Sequence, residues 1–208
     1  LLATLPRLDF IINNACQTVR RPPGFYGHLM EAERSPVQLS ASAANLVRAP
    51  APQSSSTPAP LLSVAGEGGA AELSQIPLLP EDMDHSVRLF PHGELDADLQ
   101  QRDLRKVNSW RLMLDEVSAV ELLEVHLVNA VAPFILNARL KPLMKKVDSA
   151  DKHIVNVSAM EGQFYRTFKT ARHPHTNMAK AGLNMLTRTS APDYIRDGIH
   201  MNAVDTGW

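Results

Sequence analysis

The groups able to do chemistry sit in a few short stretches. Asn13-Asn14-Ala15-Cys16, Ser158-Ala159-Met160-Glu161-Gly162 and Asp205-Thr206-Gly207 each follow a short apolar run, and Lys180 stands between the last two. Amide, hydroxyl and ammonium groups of this kind bind polar ligands and move protons. His173-Pro174-His175 puts two imidazoles two residues apart, for a metal, for proton donation by His175 near neutral pH, or as a loop capping the next helix. No nearby Cys, Asp or Glu completes a usual ligand set, so no metal is expected. Cys16 is a reactive thiol only if exposed and electropositively surrounded, and otherwise a small packed residue. Arg20-Arg21-Pro22-Pro23 reads either as a contact to a phosphate or as a solvent-facing loop. Gly66-Glu67-Gly68-Gly69 follows no strand and opens no clear amphipathic helix, so it is not a nucleotide motif.

These stretches need a frame. Leu8-Asp9-Phe10-Ile11-Ile12 and His153-Ile154-Val155-Asn156-Val157 are β-branched apolar runs, as in a parallel sheet covered on both faces. Residues 199–204 form a weaker third. From Trp110 to Val147, apolar residues such as Val117, Val120, Leu123, Leu127, Val131 and Phe134 keep helical spacing, and Asn177 to Thr189 reads as a second helix. Strand, helix, strand, helix, strand is the pattern of a doubly wound α/β fold, whose ligands bind outside the carboxyl ends of the strands. Three strands are few for such a sheet, so the expectation is a partial fold, with strands missing before Leu1 and after Trp208. Within the first helix Pro133 cannot donate to the carbonyl of Asn129, which predicts either a plain kink or a carbonyl left for water.

Composition bounds the function. The 208 residues carry 21 Lys and Arg against 22 Asp and Glu, a net charge of -1, so no strong field draws nucleic acid or an anionic membrane surface. No apolar run approaches the ~20 residues of a membrane span. The one cysteine cannot form an internal disulfide, which favours a reducing compartment such as the cytoplasm. Residues 35–80 hold 7 of the 15 prolines and only three charges, and read as a disordered insertion within a single partial domain spanning 1–208. The mixed-sign stretch 96–106 reads as solvated surface.

In order and spacing, over about Leu8 to Ser35 and Asp103 to Trp208, these motifs resemble the short-chain dehydrogenase/reductase family. That family has an Asn-Asn-Ala-Gly turn after its fourth strand, a Ser after the fifth, Tyr-x-x-x-Lys on the next helix and Pro-Gly after the sixth strand. The counterparts are Asn13-Asn14-Ala15-Cys16, Ser158-Ala159, Thr176 to Lys180 and Thr206-Gly207. The resemblance implies a Rossmann-like sheet, NAD or NADP as cofactor, and hydride transfer on a small carbonyl or alcohol substrate. It places Asn129, Ser158, Thr176 and Lys180 at catalytic positions, and Asn13, Asn14, Ala15, Lys180, Thr206 and Gly207 along the cofactor. In the family the helix asparagine's carbonyl holds a water that contacts the lysine, and members often dimerise through two long helices, here 110–147 and 177–189. A homo-oligomer follows as the expectation for the full-length form.

The departures matter as much. Where the family has tyrosine this chain has Thr176, an aliphatic hydroxyl far less acidic than a phenol of pKa about 10, which an ammonium cannot make an equivalent acid or base. Three residues before Gly162 stands Ala159, with Ser158 one place earlier. Tyr165 and His175 are the other candidates for the proton step. No Thr-Gly-x-x-x-Gly-x-Gly phosphate turn is present. Two readings result: a divergent oxidoreductase with impaired or absent activity in this chain, or a non-catalytic protein keeping the fold for binding or assembly.

Overall fold

The computed structural model describes residues 5–34, 70–97 and 99–207. Two compact units emerge, one from Leu1–Arg20 with Val107–Trp208, the other from Arg21–Lys106.

The first unit is the α/β part. Strands β1 (Phe10–Asn13), β2 (Lys152–Val157) and β3 (Ile199–Val204) form a parallel sheet in that order. Ile11 is in register with Ile154, and Ile154 with Met201. Because side chains alternate across a strand, these three share one face, where they pack with Met144, Tyr194 and Ile199. Ile154 is fully enclosed, so Ile154→Val is expected to cost about 1 kcal/mol, checked by the urea midpoint at constant slope.

The opposite face carries Phe10, His153 and His200 in one register, stacked at 5.7 and 5.1 Å between ring centroids. Phe10 and Ile12 are 57% and 68% exposed, so this face is not covered by the described residues, whereas the sequence predicts burial on both. An apolar run marks a strand, but what lies over its second face depends on other chain segments.

Helix α1 (Gly27–Arg34) and the single turn α2 (Ala70–Leu73) belong to the second unit. There Phe25 meets Phe90 edge-to-face at 6.0 Å, and Arg21, which lies over the Phe25 ring, pairs with Asp103. The fully buried Asp82 carboxylate accepts N–H bonds from Leu78 and Leu79. Of the stretch 35–80, residues 35–69, including Gly66-Glu67-Gly68-Gly69, lie outside the described residues. Residues 70–73 at its end are helical, and a 3-10 turn covers Pro80–Met83.

Back in the first unit, the long helix starts later than its apolar spacing suggests. Residues 109–111 and 114–116 are 3-10 turns, and α3 (Ala119–His126) begins where the Ser118 hydroxyl accepts the Glu121 N–H, 3.1 Å. A π-helical turn over Leu127–Val131 leads into α4 (Ala132–Met144). There the Ala132 N–H reaches back five residues to the Leu127 carbonyl, just before Pro133, which has no N–H to give. The predicted distortion at Asn129 is thus a change of hydrogen-bond register. The whole rod Ala119–Met144, with hydropathy 1.6 in its most apolar part, is long and apolar enough to cross a membrane. It nonetheless buries two amides, Asn129 and Asn137, against the rest of the unit.

Helix α5 (Pro174–Tyr194) exceeds the predicted span at both ends. Pro174 suits a first helical turn, where its missing N–H costs nothing. A 3-10 turn, Ile195–Asp197, then ends on Gly198 at φ 69°, where a Cβ would lie 3.2 Å from the Ser149 carbonyl oxygen. Lys141 lies over the Tyr194 ring at 4.2 Å and pairs with Asp193 and Asp197.

Candidate functional site

The carboxyl edge of the sheet is built around β2. Its last carbonyl, that of Val157, accepts from Lys180 Nζ at 2.9 Å, which draws the lysine across from α5 and leaves it 3% exposed. The next residue, Ser158, donates its N–H to the Val204 carbonyl of β3 at 2.8 Å, while its hydroxyl points to the Lys180 carbonyl at 3.4 Å. Ser158 and Lys180 are therefore brought together. The Met160–Gly162 turn closes down on α5 so tightly that a Cβ on Gly162 would lie 2.6 Å from the Lys180 carbonyl carbon.

Asn129 serves the edge from the π turn. Its Oδ1 accepts the Gln17 N–H at 2.7 Å and its Nδ2 donates to the Gln17 carbonyl at 2.8 Å, so one buried amide pins the loop after β1. Arg20, farther along that loop, pairs with Glu124 at 3.0 Å. Asn14, Ala15 and Cys16 are exposed at the end of β1, and Thr206 and Gly207 at the end of β3. Tyr165 is fully exposed on the loop before α5.

Asn13 turns inward. Its Nδ2 donates to Asn137 Oδ1 at 2.9 Å and to Asn156 Oδ1 at 2.7 Å, and Asn156 donates to Thr187 Oγ1 at 3.0 Å. This network was missed in the sequence, where the one available signal was an Asn inside an otherwise apolar strand, a position that requires a buried partner.

Thr176 is 2% exposed, and its hydroxyl has no hydrogen-bond partner among the described residues. The two histidines before it face different neighbours. His173, at φ 40°, stacks on Trp110 with ring centroids 4.0 Å apart, while His175 Nε2 stands 3.5 Å from the Glu121 carboxylate. Burial pushes Glu121 upward, but contacts with His175 and Ser109 outweigh it and hold the carboxyl below its ordinary range. Among the described residues no group of three His, Cys, Asp or Glu could hold a metal ion.

Residues 110–208 match the family model described as enoyl-(acyl carrier protein) reductase. An uncharacterized protein of Acanthamoeba polyphaga mimivirus is 37% identical over 107 residues, covering 49% of this chain and 22% of that protein. Among solved structures, the NADPH-bound carbonyl reductase from chicken fatty liver is 29% identical, covering 47% of this chain and 41% of that one, at a TM-score of 0.43. A short-chain dehydrogenase/reductase family oxidoreductase from Brucella ovis, in complex with a partially ordered NAD, is 27% identical, covering 48% and 42%, at a TM-score of 0.40. Over residues 110–208, just under half of its length, the chain is similar to the short-chain dehydrogenase/reductase family. It spans about a fifth of the length of the viral relative and about two fifths of these solved chains.

Proposed function

We propose that the chain supplies the lysine-bearing half of an NAD(P)-linked oxidoreductase acting on a small carbonyl or alcohol, with its proton step impaired. The clasp of Val157, Ser158 and Lys180 at the carboxyl edge of β2 carries this reading. An ammonium has three N–H donors, and Lys180 spends one on the Val157 carbonyl, leaving two for the ribose hydroxyls of a nicotinamide nucleotide. Asn14, Ala15, Thr206 and Gly207, exposed at the ends of the flanking strands, fit the same ligand. The glycine-rich phosphate turn is absent from these 208 residues, so the fit extends to the nicotinamide half only. When bound, the nucleotide would supply hydride. Ser158 would orient the substrate oxygen, and Lys180 would hold positive charge beside it.

The impairment follows from Thr176. Its hydroxyl is both a poor acid and buried, so it does not replace a phenol in exchanging a proton with substrate. Fluorescence titration of the full chain with NADH and NADPH tests the reading. Lys180→Ala is expected to weaken binding about tenfold, by removal of two charge-assisted hydrogen bonds. Equal affinity in the variant, or no binding by either protein, would sink it.

An assembly role is favoured by a separate observation. Leu123, Leu127, Val131 and Phe134 form an apolar stripe along the long rod, between 39% and 63% exposed. Burying such a stripe against a second copy would give the expected homo-oligomer. Sedimentation of the full chain tests it, with Leu127→Glu expected to shift the protein toward monomer.

A further inference from the structure

Seven buried side-chain polar atoms lack a hydrogen-bond partner among the described residues, and all seven lie on α3 or at the amino-terminal end of α5 and the residue before it. They are Glu121 Oε1, His126 Nε2, His173 Nδ1, both ring nitrogens of His175, Thr176 Oγ1 and Asn177 Oδ1. Buried polar atoms are almost always paired, because an orphan costs about 1–3 kcal/mol. A concentration of orphans at one helix contact needs a physical account.

The charges around the cluster are unequal. Glu121 is the carboxylate inside it, 3.5 Å from His175 and also facing Ser109 and the backbone of Arg20. The neighbouring Glu124 is taken by Arg20, and Glu161, which faces His173 from the loop after β2, is paired with Arg166 at 2.6 Å and bonded through its carbonyl to Lys169. Of the three imidazoles, those of His126, His173 and His175, His175 stands against Glu121, while the carboxylate that faces His173 is already paired with Arg166. Lys180, the remaining cation on the same stretch of α5, already points away to the Val157 carbonyl.

We propose that this cluster is an acid-operated latch: neutral imidazoles let α3 and the first turn of α5 close on each other, and protons entering beyond the one that Glu121 balances part them. The direction follows from burial. His126 is held below the ordinary imidazole value of 6.5 by burial and then by the charge of His175. His173 is held below it by burial and by His175, against an opposing pull from Glu161. A base whose proton affinity is lowered by folding stabilises the native state fully above its unfolded pKa. That contribution falls away as pH drops below about 6.5. The lowered carboxyl of Glu121 acts in the same sense at more acid pH. The element the latch would release is the one holding Thr176 and Lys180.

Amide hydrogen exchange on the full chain, corrected for intrinsic rates, tests this between about pH 8 and about pH 5.5. Residues 119–126 and 174–183 are expected to lose about tenfold in protection on acidification, while β2 keeps its own. The paired change His126→Gln with His173→Phe, which keeps a ring against Trp110, is expected to abolish the loss. Glu121→Gln should move the opening to higher pH, because the balancing charge is gone. His153→Gln and His200→Gln, on the far face of the sheet, should leave the loss unchanged. Equal loss in β2 and the two helices would mean global acid unfolding and overturn the proposal, as would an unchanged loss in the paired variant. Should that variant not fold, Trp110 fluorescence in a Trp208→Phe background decides. Quenching by the stacked His173 imidazolium must set in below the ordinary imidazole range, and quenching at or above it rejects the latch.

Discussion

Gly162→Ala is expected to cost about 3 kcal/mol, the upper end for overpacking, and to displace the turn above Lys180. The added Cβ would stand 2.6 Å from the Lys180 carbonyl carbon and 2.8 Å from both its oxygen and Asn184 Nδ2. The first two are backbone atoms of α5, which cannot swing aside as a flexible side chain can. Either the helix or the turn must move, and the Ser158 hydroxyl, which points to the same carbonyl, moves with it. Thermal denaturation reads the cost. Gly182→Ala serves as the comparison, since its Cβ would meet nothing closer than Ala130 Cβ at 3.9 Å. In a helix interior that change should be neutral or mildly stabilising, by up to about 1 kcal/mol. Equal behaviour of the two variants would refute the close approach.

Asn156→Ala is expected to be as severe, again about 3 kcal/mol, through a different cause. Asn156 is fully buried and joins three elements: its Oδ1 accepts from Asn13 on β1 and from Asn137 on α4, while its Nδ2 donates to Thr187 on α5. Truncation leaves the Asn137 Nδ2 donor without its acceptor in a site that water does not reach, and opens a small cavity besides. At Asn202, an exposed position of β3, Asn202→Ala removes the same amide at a cost within about 0.5 kcal/mol. Urea denaturation of both variants, compared at equal slope, separates the buried network from a general strand effect.

The network also shows where the sequence stops being legible. The three strands could be read to within about two residues because β-branched apolar runs carry their own signal. The start of the long helix could not be read from its apolar spacing, since the 3-10 turns at 109–111 and 114–116 keep a similar period, and what decides the boundary is the cap at Ser118. The carboxyl end of α5 runs through Pro192, a residue that reads as a stop. Lys180 stood out in the sequence only through the resemblance of Thr176 to Lys180 to the family's Tyr-x-x-x-Lys, not through its spacing alone. The inward turn of Asn13 was not legible, because its partners lie 124 and 143 residues away. Nor was the pairing of His175 with Glu121, which exists only once two helices have met.

The sheet topology has a consequence for biosynthesis. Asn13 of β1 lies 143 residues ahead of Asn156, its register partner on β2, and has no other strand beside it among the described residues. At ribosomal speeds of about 5–20 residues per second, β1 waits roughly 7 to 30 s before the strand that completes it has been made. During that interval Phe10, Ile11 and Ile12 lack β2, the one strand they pair with among the described residues, and such an unpaired apolar segment is a natural point of chaperone engagement on the nascent chain.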